Sequence, residues 1–212
     1  MMEIAEKSIA WVRFVVRGQQ SHASAPKKNA HRAGAHLVVR LDRVLHERYG
    51  ARDELFSPPE STMEPTKKEA NVPNINTIPG EDVFFFDCRM LPQYRLEDVL
   101  GDMRRVAEQT AAEFGMKVTV TTEQLAQAAP PTSVDAPVVR MLARSVEAVH
   151  GRKPFACGIG GGTVAAFFRR QGIPAVVWGK YEGRAHNPDE YSRIVNMVDD
   201  ARVYAHMALS DD

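Results

Sequence analysis

Cysteine is scarce. The 212 residues hold two, Cys88 and Cys157, far apart and without C-x-x-C spacing, which argues against a disulfide framework and a zinc ribbon. Neither sign of charge dominates: Lys+Arg and Asp+Glu each total 27, for a net charge of +0. A surface with no basic excess has no broad electrostatic grip on nucleic acid or an anionic membrane. The chain also lacks an uninterrupted apolar run of membrane-spanning length, and Met1 to Trp11 mixes acids and bases where a signal peptide would carry an apolar core. The expectation is a cytoplasmic protein with neither nucleic acid nor membrane as partner.

What is present is 44% hydrophobic residues, enough for a sizeable core in one domain or two small ones. Ile9 to Gly18 is β-branched and aromatic and reads as a strand. Apolar residues recur at helical spacing from Asn29 to Tyr49, through Ala33, Leu37, Leu41 and Leu45. The prolines at 58, 59 and 65 suggest that 51–68 is an exposed connection. A strand around 71–78, a Pro79-Gly80 turn and the β-prone run 83–90 then predict a hairpin. A helix over 96–114 and a strand over 116–122 complete a strand, helix, strand, strand, helix, strand order, the split βαβ or ferredoxin-like arrangement.

A boundary falls in the Ala-, Pro- and Gln-rich stretch after Gln124, giving domains at 1–124 and 125–212. The second segment predicts helices over 135–150, 163–171 and 191–209 and a core strand over 174–178. Two short strands with three helices make an incomplete parallel sheet, since such sheets are normally longer and covered on both faces. The glycine-rich turn Gly158-Ile159-Gly160-Gly161-Gly162-Thr163 leaves backbone N–H groups able to face an anion, and His186 follows the core strand.

Four motifs carry a resemblance: Gly18-(x)3-His22-Ala23-Ser24-x-Pro26; Asn76-Thr77-Ile78-Pro79-Gly80 with Asp87-Cys88-Arg89-x-x-Pro92; Gly161-Gly162-Thr163; and Ala185-His186-x-x-Asp189-Glu190-Tyr191. In this order, across nearly the whole chain, they resemble the C-terminal portion of the di-zinc amidohydrolases and peptidases, the family of succinyl-diaminopimelate desuccinylase, acetylornithine deacetylase, aminoacylase and carboxypeptidase G. The resemblance implies an inserted lid, or dimerisation, domain followed by the last part of a catalytic α/β domain. It implies His186 as a zinc ligand and His22 as a lid histidine reaching the partner subunit's site to steady an oxyanion. Asn76, Arg89, Gly161, Gly162 and Thr163 would bind substrate. Two zinc ions, with cobalt able to take their place, and a homodimer formed through the lid belong to the same expectation, as does hydrolysis of an N-acyl amino acid.

The departures concern the metals. No His-x-Asp pair and no Glu-Glu pair occurs, and Val164 follows Gly-Gly-Thr where many relatives carry a polar residue. One candidate ligand cannot hold two metals. The chain alone is therefore expected to be inactive. It would be the portion of such a zinc-dependent amidohydrolase that supplies the lid and part of the active site; the alternatives are a non-catalytic dimerisation module or truncated fragment lacking the metal-binding half, or one part of an enzyme completed by a separate polypeptide.

Overall fold

The computed structural model describes residues 1–180, 182–183 and 187–210. In chain order the elements are β1 (Met2–Glu6), β2 (Ser8–Arg17), β3 (Ser21–His22), α1 (Ala30–Arg48), β4 (Thr62–Lys68), β5 (Thr77–Ile78), β6 (Glu81–Met90), α2 (Leu96–Phe114), β7 (Lys117–Ala126), α3 (Pro137–His150), β8 (Ala156–Ile159), α4 (Ala165–Arg170) and α5 (Ile194–Leu209). This mixed α/β chain divides into two compact units, 7–128 and 1–6 together with 129–212.

In the unit 7–128, an antiparallel sheet runs in the order β4-β6-β2-β7. The period-2 alternation of β2 sends Ala10, Val12, Phe14 and Val16 to one face, where they join Phe84, Phe86, Cys88 and Met90 of β6 in the buried core. Phe14 stacks on its register partner Phe84 with ring centroids 5.0 Å apart. Both helices pack on this face, α1 through Leu37, Leu41 and Leu45 and α2 through Val99, Met103 and Val106. The Asn29 side chain caps α1 by accepting the Arg32 N–H at 3.0 Å. Gly115, at φ 59, closes α2 in the left-handed conformation that glycine adopts without strain.

Two expectations fail here for one reason. The stretch 51–68 is not all connection, because 62–68 forms β4 and pairs with β6. Proline cannot donate to an inner ladder, but β4 lies at the sheet edge and its register shifts between Pro65 and Lys67, so Pro65 is tolerated. With β4 on that flank of β6, the expected hairpin of 71–78 with 83–90 does not form. Only Thr77–Ile78 is strand there, and it pairs with β3.

In the other unit, β1 runs parallel to β8, with Met2 opposite Ala156 and Glu6 opposite Ile159. The first six residues, grouped from sequence with 1–124, thus belong with 129–212. α3 has Pro137 in its first turn and ends on Gly151 at φ 64, and α5 packs against it. The expected strand 174–178 is reduced to an isolated antiparallel bridge between Glu3 and Val177. Pro174 has no N–H to give, and the Thr132 hydroxyl takes up both polar groups of Ala175, at 3.1 and 2.6 Å. The last helix starts at Ile194 rather than Tyr191. Among the described residues, no helix is long and apolar enough to cross a membrane.

Candidate functional site

His22 and Asn76 meet on the ribbon of β3 and β5. The turn into β3 closes tightly: Gln19 N–H donates to Lys28 O at 2.8 Å, and a Cβ on Gly18 would fall 2.2 Å from that oxygen. His22 then lies opposite Thr77, and Ala23 N–H donates to Asn76 O at 2.8 Å. The imidazole is exposed. Its Nδ1 lies 2.7 Å from the Ser24 hydroxyl and 3.2 Å from the Ser24 backbone N, so this edge of the ring is engaged locally and Nε2 is the nitrogen available to a ligand.

Under this ribbon the Asp82 carboxylate, with a fully buried side chain, gathers Lys68 Nζ at 2.9 Å, His31 Nδ1 at 3.2 Å and Asn71 Nδ2 at 3.3 Å. One carboxylate thus ties α1, β4 and the segment leading to Asn76 onto β6. A cavity of about 720 Å³ lined by Pro26, His31, Arg32, Lys68, Asn71 and Thr77 opens beside it.

Arg89 stands at the opposite end of β6. Arg17 faces Glu81 near the His22 ribbon, whereas Ser8 faces Met90 at the far end. At a rise of ~3.4 Å per residue, the eight steps from Glu81 to Arg89 span about 27 Å. The guanidinium is gripped by Asp87, with Nε at 2.6 Å from Oδ1 and Nη2 at 2.9 Å from Oδ2. Trp11 Nε1 donates to the same carboxylate at 3.1 Å. Both sit on the sheet face away from the helices, since Cys88 and Met90 between and beyond them point into the core.

Gly161, Gly162 and Thr163 lie in the other unit, on the turn from β8 to α4. The Thr163 hydroxyl donates to Glu6 Oε1 of β1, which also lies 3.4 Å from Nη1 of Arg169. Burial holds the Arg169 guanidinium below its usual value, while Glu6 and Glu3 oppose that shift. Glu3 is pushed up by burial and then by Glu6. Val164, which follows the turn, is exposed.

His186 lies outside the described residues. Among the described residues no three His, Cys, Asp or Glu side chains gather to hold a metal ion, so they do not by themselves fit the zinc pair. Sequence reasoning also gave no role to Asp87, Asp82, Glu6 or Arg169. Alternation on β6 could have placed Asp87 beside Arg89, but the contacts of Glu6 with residues more than 150 positions away leave no local trace.

The pattern of the family described as "Peptidase dimerisation domain" matches residues 4–115, and the chain belongs to that family. Its relatives are metallohydrolases of the M20 peptidase type, and the likeness is to their C-terminal portion. The chain is 36% identical to an uncharacterized metallohydrolase of Methanococcus maripaludis, covering 96% of this chain and 52% of the relative. It is 27% identical to a succinyl-diaminopimelate desuccinylase of Gluconacetobacter diazotrophicus, over 97% of this chain and 51% of that one. A tripeptidase structure from Staphylococcus aureus shares the fold with TM-score 0.78 at 22% identity, over 97% of this chain and 52% of that chain. The chain spans about half the length of the curated relatives it matches.

Proposed function

We propose that the unit 7–128 is a ferredoxin-like lid and that 129–212 is the C-terminal segment of the catalytic domain of a zinc-dependent amidohydrolase. The complete enzyme cleaves the amide of an N-acyl amino acid, in the manner of a succinyl-diaminopimelate desuccinylase or an acetylornithine deacetylase. It works in the cytoplasm as a homodimer formed through the lid. The observation that carries this reading is the separation of His22 and Asn76 on one ribbon from Arg89 at the other end of β6. A small substrate cannot reach both ends of a strand on which Glu81, by the ribbon, and Arg89 lie about 27 Å apart. A two-fold related copy removes the conflict, because each copy offers its ribbon where the other offers its guanidinium.

In this scheme Nε2–H of His22 donates to the oxygen that gains charge at the scissile carbon. Asn76 accompanies it from the same subunit. Arg89, its guanidinium held flat by Asp87, pairs with a substrate carboxylate from the other. The turn at Gly161, Gly162 and Thr163 offers N–H donors to a substrate carboxylate, and His186 is one ligand of a zinc pair whose other ligands lie on the remainder of the enzyme. The zinc pair would supply Lewis acidity.

A further observation supports a larger assembly. Ile194, Val195 and Met197 of α5 are 78%, 59% and 60% exposed, an apolar strip suited to packing against more protein. His150 Nε2 and Trp178 Nε1 are buried with no hydrogen-bond partner among the described residues.

The test joins this chain to the part of the Methanococcus maripaludis relative that it does not cover, adds zinc, and assays N-succinyl and N-acetyl amino acids. His22→Ala and Arg89→Ala are expected each to abolish turnover in pure form. Mixed as a heterodimer they regain about a quarter of it, since half the dimers are mixed and each mixed dimer has one intact composite site. A mixture as dead as its parents refutes the shared site, and an inactive parent fusion refutes the amidohydrolase reading.

A further inference from the structure

The side chain of Thr163 is already engaged. Its hydroxyl donates a hydrogen bond to Glu6, and its Oγ1 accepts the N–H of Ala165 at 3.2 Å. Glu6 is 3% exposed and Arg169 is 5% exposed. Besides Glu6, Arg169 donates Nη2 to Glu3 O at 3.3 Å and Nε to Ala175 O at 3.2 Å. The planar guanidinium therefore links β1 to the segment entering the Val177 bridge and, through Glu6, to the glycine turn. Burying an acid and a base is costly unless each is partnered. Through the Thr163 hydroxyl this pair holds the glycine turn to β1. A Cβ placed on Gly160 or Gly161 would meet nothing within 4 Å.

We propose that Glu6 and Arg169 are positioning residues, which fix the Gly161-Gly162-Thr163 turn for a carboxylate ligand through the Thr163 hydroxyl. Recognition then falls on backbone N–H groups of the turn and not on the threonine side chain. This rests on the reading of the turn as a substrate contact given under Proposed function.

The test uses the full chain, ¹⁵N-labelled, titrated with N-acetyl-L-alanine while the amide signals of Gly161 and Gly162 are followed. In the parent both signals shift in a saturable manner. Thr163→Ser keeps the hydroxyl and binds within about twofold of the parent, whereas Thr163→Val and Glu6→Gln each bind at least about fivefold more weakly, the scale of one lost hydrogen bond. Amide signals of α3 and α5 stay in place throughout, which separates repositioning from unfolding. Should Glu6→Gln fail to fold, Thr163→Val, which leaves the ion pair intact, decides alone. Parent-like affinity in Thr163→Val overturns the positioning role and leaves the turn as a contact. A parent whose Gly161 and Gly162 signals ignore the probe overturns both.

Discussion

Gly34 of α1 lies directly on Asp82 of β6: a Cβ added there would sit 2.1 Å from Oδ2. Alanine at this helical position would gain about 1 kcal/mol of helix propensity. The carboxylate cannot swing away, because Lys68, Asn71 and His31 hold it in a fully buried place. Overpacking costs about 1–3 kcal/mol. Gly34→Ala is therefore expected to lower the urea midpoint, and Asp82→Ala combined with it should cost less than the two changes summed. An unchanged or raised midpoint for Gly34→Ala would show that Asp82 is free to move.

Phe14 and Phe85 test which sheet face is the core. Phe14 is 0% exposed and stacked on Phe84, so Phe14→Ala is expected to cost about 3–5 kcal/mol. Phe85 lies on the other face, half-buried beneath Lys67 at 4.7 Å. Phe85→Ala should cost about 1–2 kcal/mol, the scale of a partly solvated ring with a cation above it. Equal losses in chemical denaturation would contradict the assignment of faces.

Both thiols should be inert in the folded chain, because only the thiolate attacks. Burial, with Asp87 adding to it, pushes Cys88 from 9.0 up to about 12, and burial and Glu3 also raise Cys157. Between pH 9 and 12 the unfolded chain therefore releases protons that the folded chain keeps at Cys88. Stability contributed by the protonated thiol is complete below pH 9 and is lost as pH rises toward 12. Iodoacetamide at pH 8 should label Cys88 only in denaturant, and Cys88→Ala should flatten the alkaline decline. Rapid labelling of Cys88 in the native chain would mean that β6 is open to solvent.

Lys7 is 3% exposed, and its ammonium donates to the carbonyls of Pro58, at 2.8 Å, and of Glu60. Burial lowers its affinity for a proton, with Glu60 opposing. Lys7→Met keeps most of the volume but leaves two carbonyls without their donor, at about 1–3 kcal/mol. Hydrogen exchange should then quicken across 56–61. Protection equal to the parent's would place the hold on that segment elsewhere.

Much of the architecture was legible wherever the signal was local. The periodic faces of α1 and α2 and the β-branched and aromatic make-up of β2 and β6 are local signals, and these elements fall where they were expected. β4 was hidden because Pro65 reads as a breaker until its edge position is known. The β1–β8 pair joins the two ends of the chain, and nothing near Met2 announces a partner at Ala156. The same holds for the site. Motifs pointed to His22, Asn76 and Arg89, but only register shows that the first two are neighbours and the third is a strand's length away.

Ile9 is paired with Ala126, so the chain leaves the unit 7–128 at nearly the point where it entered. In the other unit Thr132 N–H donates to Ile4 O at 2.9 Å, so there too the chain resumes beside the place where it broke off. Each cut spans about one interstrand spacing, ~5 Å. Such a layout behaves like a cassette: its two ends lie side by side, so a change of length or sequence inside it need not move the strands that flank it.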